Sequence, residues 1–142
     1  MKKVTIHTDV HKLNIALIHD FISHSYWGKG RTIEQTRKSI ANSLNFGIYL
    51  DDEQIGYARV VTDFTIFAYL LDVFIIEQER GKGYSKNLMD YIMMYPKLQD
   101  VKSWKLATAD AHGLYEKYGF VRVEDPGKIM ERNEKDIYSD SV

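Results

Sequence analysis

Residues 74–93, FIIEQERGKGYSKNLMDYIM, decide how this chain is read: an apolar run ends, two glycines flank a lysine, and a helical pattern begins. Upstream, IFAYLLDVFII (66–76) is almost continuously apolar, as expected of a strand buried on both faces and ending at Glu77. Downstream, Leu88, Met89, Ile92 and Met93 recur at helical spacing, and Pro96 stops the pattern. SWKLATA (103–109) then reads as another strand. Strand, glycine turn, helix and strand make a βαβ unit, which joins parallel strands in a right-handed sense. Ligands of open α/β sheets sit at the carboxyl ends of the strands, where Arg80 to Ser85 fall. Backbone N–H groups at the start of the helix and the positive end of its dipole favour an anion, and Gly81 and Gly83 let it approach without a Cβ in the way. With Arg80 and Lys82 adding charge, the stretch predicts a ligand that carries phosphate or pyrophosphate.

The rest of the chain sets bounds on that ligand. At 142 residues, 44% of them hydrophobic, the chain fits one domain with a substantial core. With 19 basic and 20 acidic residues and no long run of either sign, it lacks the electrostatic footprint of a nucleic-acid binder, and small-molecule partners are favoured. Cysteine is absent, which excludes disulfides, thiolate nucleophiles and sulfur metal sites. No apolar run approaches the ~18 residues of a membrane span and no signal-peptide core follows the start, so the chain reads as cytoplasmic and without a membrane partner.

Ahead of the central stretch, VTIHT (4–8) reads as a short strand, and Asp9 as the cap of a helix with Leu13, Leu17, Ile18, Phe21 and Ile22 on one stripe. Thr32 and Gln35 have the spacing of a capping box, opening a second helix with Ile33, Ile40 and Leu44. FGIYL (46–50) and QIGYARVV (54–61) predict a β-hairpin with Ile55, Tyr57 and Val61 on one face. After SWKLATA, Asp110 can cap a short helix that stops at Gly119, and FVRVE (120–124) and KIMER (128–132) predict a closing pair of strands around Asp125, Pro126 and Gly127. Only the last several residues read as a loose tail.

Neither GKGYS (81–85) nor GKGRT (28–32) has the spacing of a P-loop, and the G-x-G-x-x-G of a dinucleotide fold is absent. Arg80, Gly83 and the small Ser85 instead resemble the R/Q-x-x-G-x-G/A signature of the GNAT superfamily of N-acyltransferases, with Ser85 where Gly or Ala is usual. AHGLYEKYGF (111–120) resembles that family's A-x-x-L-Y-E-K-x-G-F segment, and the element order agrees over nearly the whole chain. The resemblance implies an α/β fold over residues 1–142: a mixed, twisted sheet of about six to seven strands flanked by about four helices. The fourth and fifth strands would splay around the pantetheine arm of acetyl-coenzyme A (acetyl-CoA). It also implies that Arg80, Gly81, Lys82, Gly83, Tyr84 and Ser85 bind the pyrophosphate, and that a backbone amide among Val73, Phe74 and Ile75 polarises the thioester carbonyl.

Acyl transfer to an amine needs a neutral nucleophile, a polarised carbonyl and a proton for the departing thiolate. A tyrosine with a pKa near about 10 can protonate a thiolate whose thiol sits near about 8.5. Tyr115 matches the family's general-acid tyrosine, although it is one of ten tyrosines that could simply pack. Asp72 is a candidate base, or a buried carboxylate satisfied by its neighbours. His112, three residues before Tyr115, is an active-site candidate because imidazole can take a proton near neutral pH, or else a polar residue at a helix start.

The acceptor pocket of the family falls on HSYWGKGR (24–31), where His24, Tyr26, Trp27 and Arg31 form an aromatic and basic set. Aromatic walls suit an amine and Arg31 suits a carboxylate, so the acceptor stays open between a small amine and a peptide. His7 and His11 do not have convincing metal spacing, and no metal is expected. The expected reaction is direct attack of the acceptor amine in a ternary complex. A non-catalytic acyl-CoA sensor is the alternative, a nucleotide-binding regulator a third possibility, and a homodimer is left open by the resemblance.

Overall fold

In this computed structural model, which describes residues 1–134, five strands form one sheet in the order β1-β2-β3-β4-β5. They are β1 (Val4–His7), β2 (Leu44–Leu50), β3 (Glu53–Thr62), β4 (Phe67–Ile75) and β5 (Ser103–Lys105). The first four are mutually antiparallel and β5 lies parallel to β4, which makes the sheet mixed. Helices α1 (Ile15–Ser23) and α2 (Ile33–Ala41) precede β2, α3 (Tyr84–Met93) connects β4 to β5, and α4 (His112–Glu116) follows β5.

Local sequence explains most helix ends. The Thr32–Gln35 box forms in both directions, with Thr32 N–H donating to Gln35 Oε1 (2.8 Å) and Gln35 N–H to Thr32 Oγ1 (3.1 Å). Asp9 caps only a single turn, Val10–Lys12, and α1 starts later under Asn14, whose side chain accepts from Leu17 N. Asp110 does not cap α4; Ala111 stands at that position and donates its N–H to Thr108 Oγ1 (3.1 Å).

The sheet separates two apolar clusters. On one side Leu88, Met89 and Ile92 of α3 and Tyr115 of α4 pack with Phe46, Ile48, Val60 and Leu70. On the other, Ile18, Ile22 and Ile40 of α1 and α2 enclose Tyr57 and Phe74. Bulges break the predicted alternation of β3. Opposite Ile48 and Tyr49 the register with β2 skips Ile55, so Ile55 joins the α3 cluster and Tyr57 the α1 cluster, and Val61 is exposed.

Two expectations are corrected. Among the described residues the sheet has five strands rather than six to seven. The predicted closing pair is missing: residues 120–132 form no strand, Pro126–Lys128 make a single turn capped by Asp125, and Val121 and Val123 are exposed with no partner strand to bury them. The tail expected at the end lies mostly outside the described residues. Among the described residues, no helix is long and apolar enough to cross a membrane.

Candidate active site

The opening in the molecule arises where β4 and β5 part. They pair only at Phe67–Ser103, Ala68–Trp104 and Tyr69–Lys105, so from Leu70 to Ile75 the β5-facing edge of β4 has no strand beside it. A bulge at Asp72, which adopts a left-handed φ of 54°, turns this stretch. Val73, half-buried, and the buried Phe74 and Ile75 therefore lie on the free edge, where a backbone amide can meet a ligand.

At the carboxyl end of β4 the glycine loop leads into α3. Gly81 (φ 77°) and Gly83 (φ 88°) are left-handed, and a Cβ at either would meet nothing within 4 Å. Glycine is thus required here by backbone conformation, while the space above the loop is open. Gly83 is the N-terminal cap residue of α3 and gives it no side-chain cap. Among the described residues the N–H groups of residues 81–86 have no acceptor; the first that does is Asn87, on Gly83 O (3.1 Å). Uncapped donors at a helix start form an anion site. Arg80 donates Nε–H to Ile75 O (3.0 Å), which folds the loop back on the strand, and its guanidinium lies 5.7 Å from the Phe21 ring centroid. Lys82 pairs with Glu79 (3.0 Å), so its charge is shared within the loop. Tyr84 and Ser85 are half-buried in the first turn of α3.

On α4, Tyr115 is buried against Phe120, with ring centroids 6.1 Å apart. Burial pushes its phenol up to about 12, with Tyr26 and Asp110 adding to the rise. Its hydroxyl has no hydrogen bond among the described residues, and it is not sealed from solvent. His112, at the exposed start of α4, is not enclosed with it. Tyr118 instead donates its hydroxyl to Asp90 Oδ1 (2.7 Å) and ties the end of α4 to α3.

The loop between α1 and α2 is organised differently. Asp72 side-chain oxygens accept from Arg31 Nη1 (2.9 Å), Arg59 Nε (2.8 Å) and Trp27 Nε1 (3.0 Å), and the Asp72 side chain is 1% exposed. Burial alone raises the Asp72 pKa, but the Arg31 hydrogen bond and the charges of Arg59 and Arg31 outweigh it and hold the carboxyl below the usual range. Of the two readings of Asp72, candidate base or buried carboxylate satisfied by its neighbours, the hydrogen bonds describe the second: its oxygens are engaged by guanidinium and indole. Arg31 and Trp27, foreseen as acceptor contacts, point into this cluster. Tyr26 remains exposed, and its hydroxyl accepts from Ala109 N (3.2 Å) beyond β5. His24, exposed, bonds back to Asp20 O (2.7 Å). Arg59 and Phe21 escaped the sequence reading; Arg59 stood in a strand read only for its apolar residues, and Phe21 was assigned to the core.

A wide depression of about 690 Å³ is lined by Lys105 and by Val123, Glu124, Asp125, Lys128 and Ile129, none of which is a site residue expected from the sequence.

Comparison with known proteins gives the family and the fold. A family model described as an acetyltransferase (GNAT) domain matches residues 42–122. A crystal structure of a Xanthomonas campestris pv. campestris protein assigned to the GNAT acetyltransferases is 44% identical, with a TM-score of 0.93, over 98% of this chain and 99% of that one. A predicted acetyltransferase from Clostridium acetobutylicum, solved with acetyl-CoA, shares the fold at 18% identity and TM-score 0.67, over 94% of this chain and 96% of that one. A GNAT family acetyltransferase from Elizabethkingia anophelis, also with acetyl-CoA bound, does so at 20% and 0.65, over 86% and 78%. No curated protein matches the chain.

Proposed function

The chain belongs to the GNAT acetyltransferase family and uses acetyl-CoA; from that premise we propose that it acetylates an amine by direct attack on the thioester in a ternary complex. One observation carries the reading: β4 has no strand beside it from Leu70 to Ile75, and the glycine loop that follows it presents the unpartnered amides of residues 81–86; the Tyr115 hydroxyl, without a hydrogen bond among the described residues, supports it. The pyrophosphate sits on the loop amides with Arg80, where the α3 dipole adds to the attraction. The pantetheine arm lies along β4 from Ile75 toward Leu70, and an amide of residues 73–75 polarises the acyl carbonyl. With its pKa near 12, Tyr115 stays protonated across the neutral range and gives its proton to the leaving thiolate, whose own thiol sits near about 8.5.

Asp72 serves as an anchor that fixes Trp27 and Arg31, and with them the acceptor loop. A carboxylate held below its usual range by two guanidinium groups is a weak base. The acceptor amine therefore loses its proton to solvent before attack, and His24 and Tyr26 line its approach. With no cysteine in the chain, a cysteinyl acyl-enzyme is excluded.

The test is thiol release from acetyl-CoA with a panel of small amines and lysine peptides, wild type beside Tyr115→Phe. The acid role predicts a fall of about 10²-fold or more in kcat, with acetyl-CoA affinity unchanged within about twofold. Equal turnover by the two proteins would remove Tyr115 from the mechanism, and tight binding with no turnover on any amine would favour a sensor.

A further inference from the structure

Phe21 stands on α1, in a stripe that reads from the sequence as core, yet its half-buried ring meets three parts of the site. It stacks on Phe74 of the free β4 edge, with centroids 4.0 Å apart and planes 7° from parallel. The Arg80 guanidinium lies 5.7 Å from its centroid. Trp27 of the acceptor loop lies 6.4 Å away, tilted by 43°, and its indole N–H is tied to Asp72.

These contacts differ in what they leave free. Arg80 uses Nε on Ile75 O, and its Nη groups have no hydrogen-bond partner among the described residues, which leaves them to an anion at the loop. A guanidinium that clasps a phosphate becomes fixed, and the aromatic face beside it loses freedom with it. Trp27 is the next ring along, and any restriction passed to it would be reciprocal by linkage.

We propose that Phe21 is a positioning residue shared by both substrates: it holds Arg80 for an anionic group of the donor and bears on Trp27, so that filling the donor site orders the acceptor loop. This rests on the acetyl-CoA reading.

The test uses the full chain carrying Trp104→Phe, which leaves Trp27 as the one remaining tryptophan of two. Acetyl-CoA affinity is measured by calorimetry, and Trp27 exposure by acrylamide quenching with and without saturating acetyl-CoA. The expected result is that acetyl-CoA lowers the quenching constant about twofold or more. Phe21→Leu should weaken acetyl-CoA binding about 3- to 5-fold, the size of a lost cation–π contact, and abolish the protection. Phe21→Tyr, which keeps an aromatic face, should restore both. In an Arg80→Leu background, Phe21→Leu should weaken binding no further.

Should Phe21→Leu fail to fold by circular dichroism, Phe21→Met supplies the same loss of the ring with a closer fill. Binding without protection of Trp27, wild-type affinity in the leucine or methionine variant, or losses that multiply with Arg80→Leu would each overturn the proposal alone. No binding of acetyl-CoA to the parent protein would overturn the donor assignment, and the proposal with it.

Discussion

The glycine loop and the loop between α1 and α2 flank the same strand and are built on opposite principles. Around residues 81–86 the backbone donors are left without acceptors, as suits a surface completed by an anion. Around residues 24–31 the polar groups consume one another: Asp72 is filled by Arg31, Arg59 and Trp27. The first region keeps its hydrogen-bonding capacity for a ligand, and the second spends it on holding a shape. The difference separates donors left open from donors and acceptors already paired, and the Asp72 carboxylate belongs to the second kind.

The comparison breaks most visibly at the glycine loop. Gly83→Glu sets a non-glycine residue at φ 88° and a negative charge over the amides, so acetyl-CoA affinity should fall by about 100-fold or more, read by calorimetry. Asp72→Asn tests the other region. It leaves two buried guanidinium groups short of a counter-charge and should cost about 3–5 kcal/mol of stability in denaturant titration.

The pH dependence sharpens that second prediction. Folding lowers the Asp72 pKa, so its stabilising contribution is complete above the unfolded value of about 3.9 and is lost as pH falls through the folded value. The stability gap between wild type and Asp72→Asn should therefore narrow on acidification below about pH 4. In turnover, the alkaline rise in rate should follow the acceptor's own amine and keep its midpoint in Asp72→Asn; loss of that rise would restore Asp72 as the base. The smallest effect belongs to the helix cap that follows the second loop: Thr32→Ala removes half of a capping box and should cost about 1 kcal/mol, with acetyl-CoA affinity unchanged.

What was legible in the sequence was local. The Thr32–Gln35 box spans three residues, and the glycines of residues 81–83 carry their backbone requirement in their identity, so both could be read directly. The buried run 66–76 announced β4, and the segment 111–120 led to Tyr115. Long-range pairing could not be read this way. Asp72 meets residues 41 and 13 positions away, and nothing in its own neighbourhood tells whether its lone pairs are free for chemistry. Arg59 reaches it because of a bulge, and bulges are invisible to a period-two pattern. Phe21 was correctly assigned to an apolar stripe, but an aromatic ring buried on one side can support a charged group on another. The closing pair failed because alternating apolar residues define a strand only where a partner exists to receive them.

The most direct test of the account is titration of the purified chain with acetyl-CoA, wild type beside Gly83→Glu, followed by calorimetry. The account predicts saturable binding to wild type that the substitution abolishes while the fold persists by circular dichroism. Absence of binding to wild type, or equal binding to both proteins, would contradict it.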